Sequence, residues 1–150
     1  MMRKILVAVL CILGCLAITG FKREAATTEG RRVDVDLTQL SSTMVYAQVF
    51  DMLVSPDTYV GKTIRMRGTF TQYRAAEESP VLVPGRQYFA CVITDALACC
   101  SQGIDFELAG NPTYPQDYPV PGSEITVVGK FQQVDKDGYS YTYVADARLE

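Results

Sequence analysis

Hydrophobic residues in the central part of the chain recur at two spacings, first that of a helix and then that of a strand. After Ser41-Ser42, apolar positions recur every three or four residues, which predicts an amphipathic helix. The two serines can cap its start, and Ser55-Pro56 ends it. We expect this helix to pack on a sheet through a stripe of Tyr46, Val49, Phe50 and Leu53, with Gln48 and Asp51 facing away.

From residue 64 the spacing changes to two, which is typical of half-buried strands. We predict five strands, the first beginning at residue 64 and the others at about 87–95, 103–108, 124–134 and 139–149. Four prolines exclude regular structure from the loop at 110–124. A hairpin turn is predicted at 135–138, with Gly138 available for a positive φ.

Residues 64–70 and 125–131 share the pattern I-x-hydrophobic-x-G-x-F. Gly68 and Gly129 therefore predict bends at equivalent corners of a small barrel. The fold class that fits is mainly β, a five-stranded OB-like Greek-key barrel within residues 39–150, preceded by one α-helix that plugs its end. The proline-rich loop replaces the helix usual between the third and fourth strands. An immunoglobulin-like sandwich is the alternative, although it needs about seven strands.

The N-terminus carries a pattern typical of export. A basic start, MMRK, precedes an apolar run of 16 residues at 5–20, as in a secretory signal peptide. The run is close to the minimum length of a helix that spans a bilayer. Two alternatives are therefore open: an uncleaved membrane anchor, and cleavage near residue 20. We assign residues 1–20 to a signal peptide or lipoprotein leader and 21–38 to a flexible tether. Each alternative predicts an extracytoplasmic domain, either membrane-anchored or secreted.

A lipid anchor is a more specific version of that prediction. The segment Ile12-Leu13-Gly14-Cys15 resembles the lipobox of bacterial lipoproteins. The resemblance implies cleavage before Cys15 and a diacylglyceryl thioether on its sulfur. In the alternative interpretation, Cys15 is only a small apolar residue in the core of a signal peptide.

Charge and the absence of one residue type limit the chemistry. From residue 31 onward, ten Lys and Arg stand against fifteen Asp and Glu, a net charge of −5, so nucleic acid is an unfavourable partner. The chain has no histidine, which excludes a Ser-His or Cys-His pair. It also has no glycine motif for binding phosphate or dinucleotide. We expect no enzymatic activity and no organic cofactor.

Three cysteines outside the leader are candidates for specific chemistry. If the second and third strands turn at residues 96–97, Thr94 faces Cys99, and Cys91 shares a strand face with Cys100. Cys99 then points to the opposite face. In that geometry at most one of the two adjacent thiols is available to a ligand.

Several roles for these thiols stay open. They could pack in the interior, or form one disulfide between Cys91 and either neighbour, or between Cys99 and Cys100. They could instead bind Zn(II) or Cu(I), with Asp95 or Asp105 as a fourth ligand. Thiol exchange would need a nearby cation or helix N-terminus to lower the thiol pKa, and the local sequence offers no cation.

A second candidate site lies on the outer face of the first strand. This predicted ligand face consists of Lys62, Arg65, Arg67 and Tyr73, with Tyr139, Tyr141 and Tyr143 as further aromatic neighbours. OB-folds bind oligonucleotides or glycans on such surfaces. The simpler alternative is a solvated strand face beside a tyrosine-rich core.

The region from Val33 to Glu150 also resembles a known family. The resemblance rests on VDVDLTQLSSTMVYAQVFDMLVSPDTYVGKTIRMRG, on FACVITDALACCSQGIDFEL with its Cys-Cys-x-x-Gly run, and on YPQDYP followed by GSEITVVGKF. It is similar to small exported OB-fold proteins of Firmicutes-type bacteria and to the soluble part of a permease-associated family. The resemblance implies the fold and an exported location, and it implies no particular activity.

These observations predict a non-catalytic, membrane-tethered OB-like module of the bacterial cell envelope. Its partner would be an envelope protein or a small ligand, and its membrane contact would be the leader or a lipid. The alternative function is thiol-based binding of Zn(II) or Cu(I) through Cys91, Cys99 and Cys100.

Overall fold

A computed structural model of the protein describes residues 32–150. The predictions for the leader, the lipobox cysteine Cys15 and most of the tether lie outside these residues. Within these residues the elements are one α-helix, α1 (Ser42–Val54), two short 3-10 helices (Leu37–Gln39 and Pro56–Thr58) and six strands: β1 (Val35–Asp36), β2 (Thr63–Arg74), β3 (Gln87–Thr94), β4 (Ser101–Leu108), β5 (Glu124–Lys136) and β6 (Tyr139–Leu149). The fold of the described residues is therefore mainly β, and its sixth strand is the two-residue β1, which the sequence did not predict.

All six strands belong to one sheet with the order β1-β2-β3-β4-β6-β5, and β5 also pairs with β2. The sheet therefore closes on itself as a ring. The pairs β1–β2 and β4–β6 are parallel, and the other pairs are antiparallel. The alternative of a two-sheet sandwich is wrong, because a single sheet contains every strand of residues 32–150.

The two glycines of the repeated pattern lie where the ring bends. Strand β2 pairs with β5 up to Thr69 and with β3 from Thr69 onward. A Cβ on Gly68 would lie 2.4 Å from the carbonyl oxygen of Val92. On β5, the pairing register with β6 shifts at Gly129, where a Cβ would lie 2.6 Å from the carbonyl oxygen of Ala145. Both positions need glycine because another strand's backbone approaches too closely for a side chain.

The interior of the ring is filled by apolar side chains, including Ile64, Met66, Phe70, Ile104, Phe106, Val127, Phe131 and Val144. Helix α1 packs against β3 and β4 and adds Val49 and Met52 to this core. Ser41 caps the helix by accepting a hydrogen bond from the amide of Met44. The predicted stripe is wrong at Phe50, which is 51 % exposed, because Met52 takes the buried position.

The polar side of α1 also makes a specific contact. The hydroxyl of Tyr59 donates a hydrogen bond to Asp51 and accepts one from Gln48. These two side chains therefore anchor the turn after the helix, instead of only facing solvent as the sequence suggested.

The proline-rich segment between β4 and β5 folds back onto the core. The ring of Tyr118 stacks on Phe89 with 3.9 Å between centroids, and it also lies beside Phe70 and Tyr114. Tyr114–Pro115 is a cis peptide. This segment has no helix or strand, in agreement with the prediction from its prolines.

Folded structure begins before residue 39. Strand β1 pairs with β2 through Val35, and Leu37 is buried in the core. Arg65 joins this start to the end of the chain, because its guanidinium contacts Asp36 at 3.3 Å and Glu150 at 2.7 Å. Among residues 32–150, no helix has the length and apolar character that crossing a membrane requires.

Candidate functional site

The outer face of the ring carries a group of tyrosines around one carboxylate. Side chains alternate between the two faces of a strand. Those that point to this outer face include Tyr73 of β2, Tyr88 of β3, Asp105 of β4, and Tyr141 and Tyr143 of β6. We call these five residues the tyrosine cluster. The four strands are neighbours in the sheet, so residues far apart in the sequence meet there.

Asp105 lies at the centre of the cluster and is only 8 % exposed. Its Oδ2 accepts hydrogen bonds from the hydroxyls of Tyr73 and Tyr141, the latter at 2.7 Å. Burial raises the pKa of this carboxyl above its ordinary value, and the two phenol donors offset part of that shift. Asp105 is therefore shielded from solvent although it lies at an outward position of its strand, because tyrosines cover it.

The tyrosine rings are arranged as an aromatic surface. Tyr73 and Tyr88 stack with centroids 5.8 Å apart, and Tyr141 and Tyr143 stack at 5.5 Å with their planes 9° apart. Tyr88 meets Tyr141 edge-on. Tyr88 is buried, whereas 36 % of Tyr73 is accessible to solvent. Tyr73 can therefore offer part of its ring to a ligand.

A cleft of about 460 Å³ opens beside the cluster. It shares Tyr88 with the cluster, and its other walls include Arg86, Phe89, Glu107 and Tyr118. Arg86 and Glu107 form an exposed ion pair at 2.8 Å, and the Arg86 guanidinium lies over the Tyr88 ring. The cleft thus combines aromatic walls with one cation and one carboxylate, which is a common composition of ligand sites.

The structure does not bring the four residues of the predicted ligand face into one surface. Arg65 and Arg67 line a separate hollow, where Arg65 is engaged by two carboxylates. Lys62 lies over the ring of Tyr59. Tyr73 is six residues along β2 from Arg67, about 20 Å at strand spacing, and it joins the tyrosine cluster instead.

Cys91 does not meet the other two thiols. It lies in β3 opposite Ile104, is fully buried, and its Sγ lies against Gly68. Burial raises its pKa to about 12, so this thiol is protonated at neutral pH. Cys91 is a core residue, and among residues 32–150 no cysteine is in a disulfide.

Cys99 and Cys100 lie in the loop between β3 and β4, because Thr94 pairs with Ser101 and not with Cys99. The predicted turn at 96–97 is therefore too short, and the connection extends over residues 95–100. Both thiols are exposed, and their sulfurs are 3.8 Å apart. The expectation that the two point to opposite sides of a strand is wrong for this reason.

Asp95 organises the same loop. Its Oδ1 accepts hydrogen bonds from the amides of Cys99 and Cys100, and its Oδ2 accepts one from the Cys99 thiol at 3.0 Å. The hydrogen bond to this carboxylate is the main reason that the pKa of Cys99 is raised to about 11. The thiol is a weak nucleophile in this state, since the thiolate is the reactive form.

Comparison with known proteins identifies neither a family nor a ligand for this chain. No protein-family model matches the chain, and no curated protein is significantly similar to it. The chain is similar to the crystal structure of a candidate nucleic acid-binding lipoprotein from Klebsiella pneumoniae, with 19% sequence identity and a TM-score of 0.45, over 69% of this chain and 87% of that chain. A similarity at this level carries no conclusion about the fold or the ligand of this chain.

The sequence indicated Tyr73, Tyr141 and Tyr143 as aromatic candidates but missed Tyr88 and the central role of Asp105. The alternation of inward and outward positions could have indicated both residues, because each lies at an outward position of its strand. The missing information was which strands are neighbours, and this depends on the closure of the ring.

Proposed function

We propose that this chain is an exported, membrane-tethered, non-catalytic binding module with an OB-like fold (the oligonucleotide- and oligosaccharide-binding fold). The ring order β2-β3-β4-β6-β5, with β4 and β6 parallel, supports this assignment, since an OB-fold is a five-stranded Greek-key barrel. The proposal includes kinship with the exported Firmicutes-type family that the sequence resembles.

Export and tethering are supported by the N-terminal sequence. The basic start, the apolar run and the lipobox-like Ile12-Leu13-Gly14-Cys15 together favour a lipoprotein of the cell envelope. Mass spectrometry of the mature N-terminus tests this part of the proposal. A diacylglyceryl group on Cys15 supports it, whereas a chain that begins beyond residue 15 contradicts lipidation.

The observation that carries the binding function is the tyrosine cluster with its adjoining cleft. Exposed aromatic rings on a sheet bind ligands by stacking against the faces of the ligand's rings, a contact that for a nucleobase is worth about 1–3 kcal/mol. In the cluster, Tyr73 and Tyr143 offer ring surface to such a ligand, and Asp105 fixes Tyr73 and Tyr141 from behind through their hydroxyls.

Charge favours a neutral ligand for this face. Asp105 and Glu107 lie in or beside the cluster, and Arg86 is already paired with Glu107. Residues 31–150 have a net charge of −5, and polyanions bind through release of counterions by basic surfaces. Of the two ligand classes of OB-folds, an uncharged oligosaccharide therefore fits better than an oligonucleotide.

Isothermal titration calorimetry on the full-length protein tests this function. The protein is held in a detergent without a sugar headgroup and is titrated with neutral cello- and chito-hexasaccharides, and separately with oligothymidylate. We expect a saccharide to bind and Tyr73→Ala to weaken it about 10-fold, the equivalent of one lost stacking contact. Tyr139→Ala is the matched control, since Tyr139 is exposed and lies outside the cluster.

Two results contradict the proposal. If no saccharide binds while oligothymidylate does, the ligand class is wrong. If Tyr139→Ala weakens binding as much as Tyr73→Ala, the tyrosine cluster is not the binding face.

A further inference from the structure

The loop between β3 and β4 brings together three side chains of types that are common metal ligands in proteins. The Sγ atoms of Cys99 and Cys100 are 3.8 Å apart, and Cys99 Sγ is 3.0 Å from Asp95 Oδ2. The three ligand atoms lie within 4.8 Å of one another. None of these residues belongs to the tyrosine cluster, so the group has no role in the function proposed above.

The distance between the two sulfurs fits tetrahedral coordination. A bond from zinc to thiolate sulfur is about 2.3 Å long, so two such bonds at the tetrahedral angle place the sulfurs about 3.8 Å apart. Two collinear bonds of that length, as in two-coordinate Cu(I), would need about 4.6 Å. The observed 3.8 Å between the sulfurs of Cys99 and Cys100 therefore matches the spacing of two thiolate ligands on one tetrahedral ion.

The carboxylate is oriented by the backbone of the loop. Asp95 Oδ1 accepts hydrogen bonds from the amides of Cys99 at 2.9 Å and Cys100 at 3.3 Å. Asp95 also donates its own amide to the carbonyl of Cys100, which closes the loop. These contacts turn Oδ2 toward the sulfurs, and such outer contacts strengthen metal sites by fixing the ligand geometry.

We propose that this loop binds a thiophilic divalent ion of the Zn(II) type through Asp95 Oδ2, Cys99 Sγ and Cys100 Sγ. The fourth coordination position faces solvent, since both cysteines are exposed, and water or a partner's side chain occupies it. Two thiol protons pass to the buffer when the ion binds, and no electrons are transferred. Cys91 takes no part because its sulfur lies in the core.

The ligand set also differs from the one that the sequence indicated. Of the two candidate carboxylates, Asp105 is held by Tyr73 and Tyr141 on the outer face, whereas Asp95 is part of the thiol loop. The site is thus a two-thiolate, one-carboxylate site, and three thiolates from Cys91, Cys99 and Cys100 do not meet.

The test uses the reduced full-length protein with Cys11→Ser and Cys15→Ser, so that all remaining thiols lie in the folded region. Zn(II) affinity is measured by competition with a chromophoric chelator. Co(II) is titrated in parallel, because its ligand-field and sulfur charge-transfer bands report tetrahedral geometry and the number of thiolates. Circular dichroism confirms that each variant is folded.

We expect one ion per chain, a tetrahedral Co(II) spectrum, and loss of at least 10-fold in affinity with Cys99→Ser or Cys100→Ser. Each of these variants should also lose about half of the sulfur charge-transfer intensity. Asp95→Asn should weaken binding at least about 10-fold, because it replaces the carboxylate ligand with a neutral amide. Cys91→Ala is the matched control and should leave affinity unchanged.

The proposal is overturned if the reference protein binds Zn(II) no more tightly than a variant that carries both Cys99→Ser and Cys100→Ser. It is equally overturned if Cys91→Ala abolishes binding while its fold is retained, or if Asp95→Asn binds as the reference does. These outcomes are independent of saccharide binding, so failure of one proposal leaves the other intact.

Discussion

Replacing Gly68 with alanine should destabilise the fold, because this position is where β2 changes partner from β5 to β3. The new Cβ would lie 2.4 Å from the carbonyl oxygen of Val92 and 2.9 Å from the sulfur of Cys91. Val92 cannot retreat easily, since it is paired with Thr69 on one side and Gly103 on the other. A strand of the ring must therefore shift to accept the methyl group.

The expected cost follows from that crowding. Overpacking of a well-packed interior costs typically about 1–3 kcal/mol, and Gly68→Ala belongs at the upper end because the closest atom is backbone. Alanine also reduces the conformational entropy of the unfolded chain, which stabilises the folded state by about 0.4–1 kcal/mol. We expect a net loss of about 2 kcal/mol, which corresponds to a fall of about 1 M in the urea midpoint at a typical slope for a small domain.

Gly103→Ala is the matched control. A Cβ there would lie 3.6 Å from a methyl group of Val92 and 3.8 Å from the Cβ of Ala90, which are ordinary contacts. Neither Gly68 nor Gly103 has a positive φ, so the two substitutions differ in available space and not in backbone strain. Gly103→Ala should be neutral or stabilising by up to about 1 kcal/mol.

Urea unfolding is followed by far-ultraviolet circular dichroism and by tyrosine fluorescence, since the chain has no tryptophan. The reasoning is refuted if Gly68→Ala unfolds at the same midpoint as the parent. It is also refuted if Gly103→Ala is destabilised to the same extent, because close approach of Val92 would then not be the cause.

Two further predictions concern buried ionisable groups. In the Cys11→Ser, Cys15→Ser protein, Cys99 and Cys100 should react with Ellman's reagent without denaturant because both are exposed, whereas Cys91 should react only in denaturant because it is fully buried; three thiols that react without denaturant would contradict this placement. The pKa of Asp105 is raised by burial from 3.8, so its stabilising contribution is complete below that pH and is lost as pH rises through the folded value. The stability of Asp105→Asn relative to the parent, measured by urea unfolding, should therefore increase from acid to neutral pH. A difference in stability between the two proteins that is the same at both pH values would contradict this.

The local elements were predictable from the sequence because their signals are local. Period-two alternation gave the long strands, and four prolines gave the irregular segment before β5. The turn before β6 has positive φ at both Asp137 and Gly138, and Gly138 was predicted for that reason. The short β1 was missed because two residues carry no periodic pattern.

The candidate sites depended on registers that local patterns do not fix. A difference of two residues in the β3–β4 pairing preserves the alternation of buried and exposed positions, so the pattern could not distinguish the two registers. That difference moved Cys99 and Cys100 from a strand into a loop and separated them from Cys91. Likewise, only closure of the ring brings β6 beside β4 and so places Tyr141 against Asp105.

The binding face is tested most directly by mapping where a ligand touches the protein. Amide chemical shifts of the isotopically labelled full-length protein are recorded during titration with the neutral hexasaccharide that binds in calorimetry. We predict that the largest shifts fall on the strand segments around Tyr73, Tyr88 and Tyr143. Shifts centred on Arg65 and Arg67, or no localised shifts at saturating saccharide, would contradict the assignment of the tyrosine cluster as the binding face.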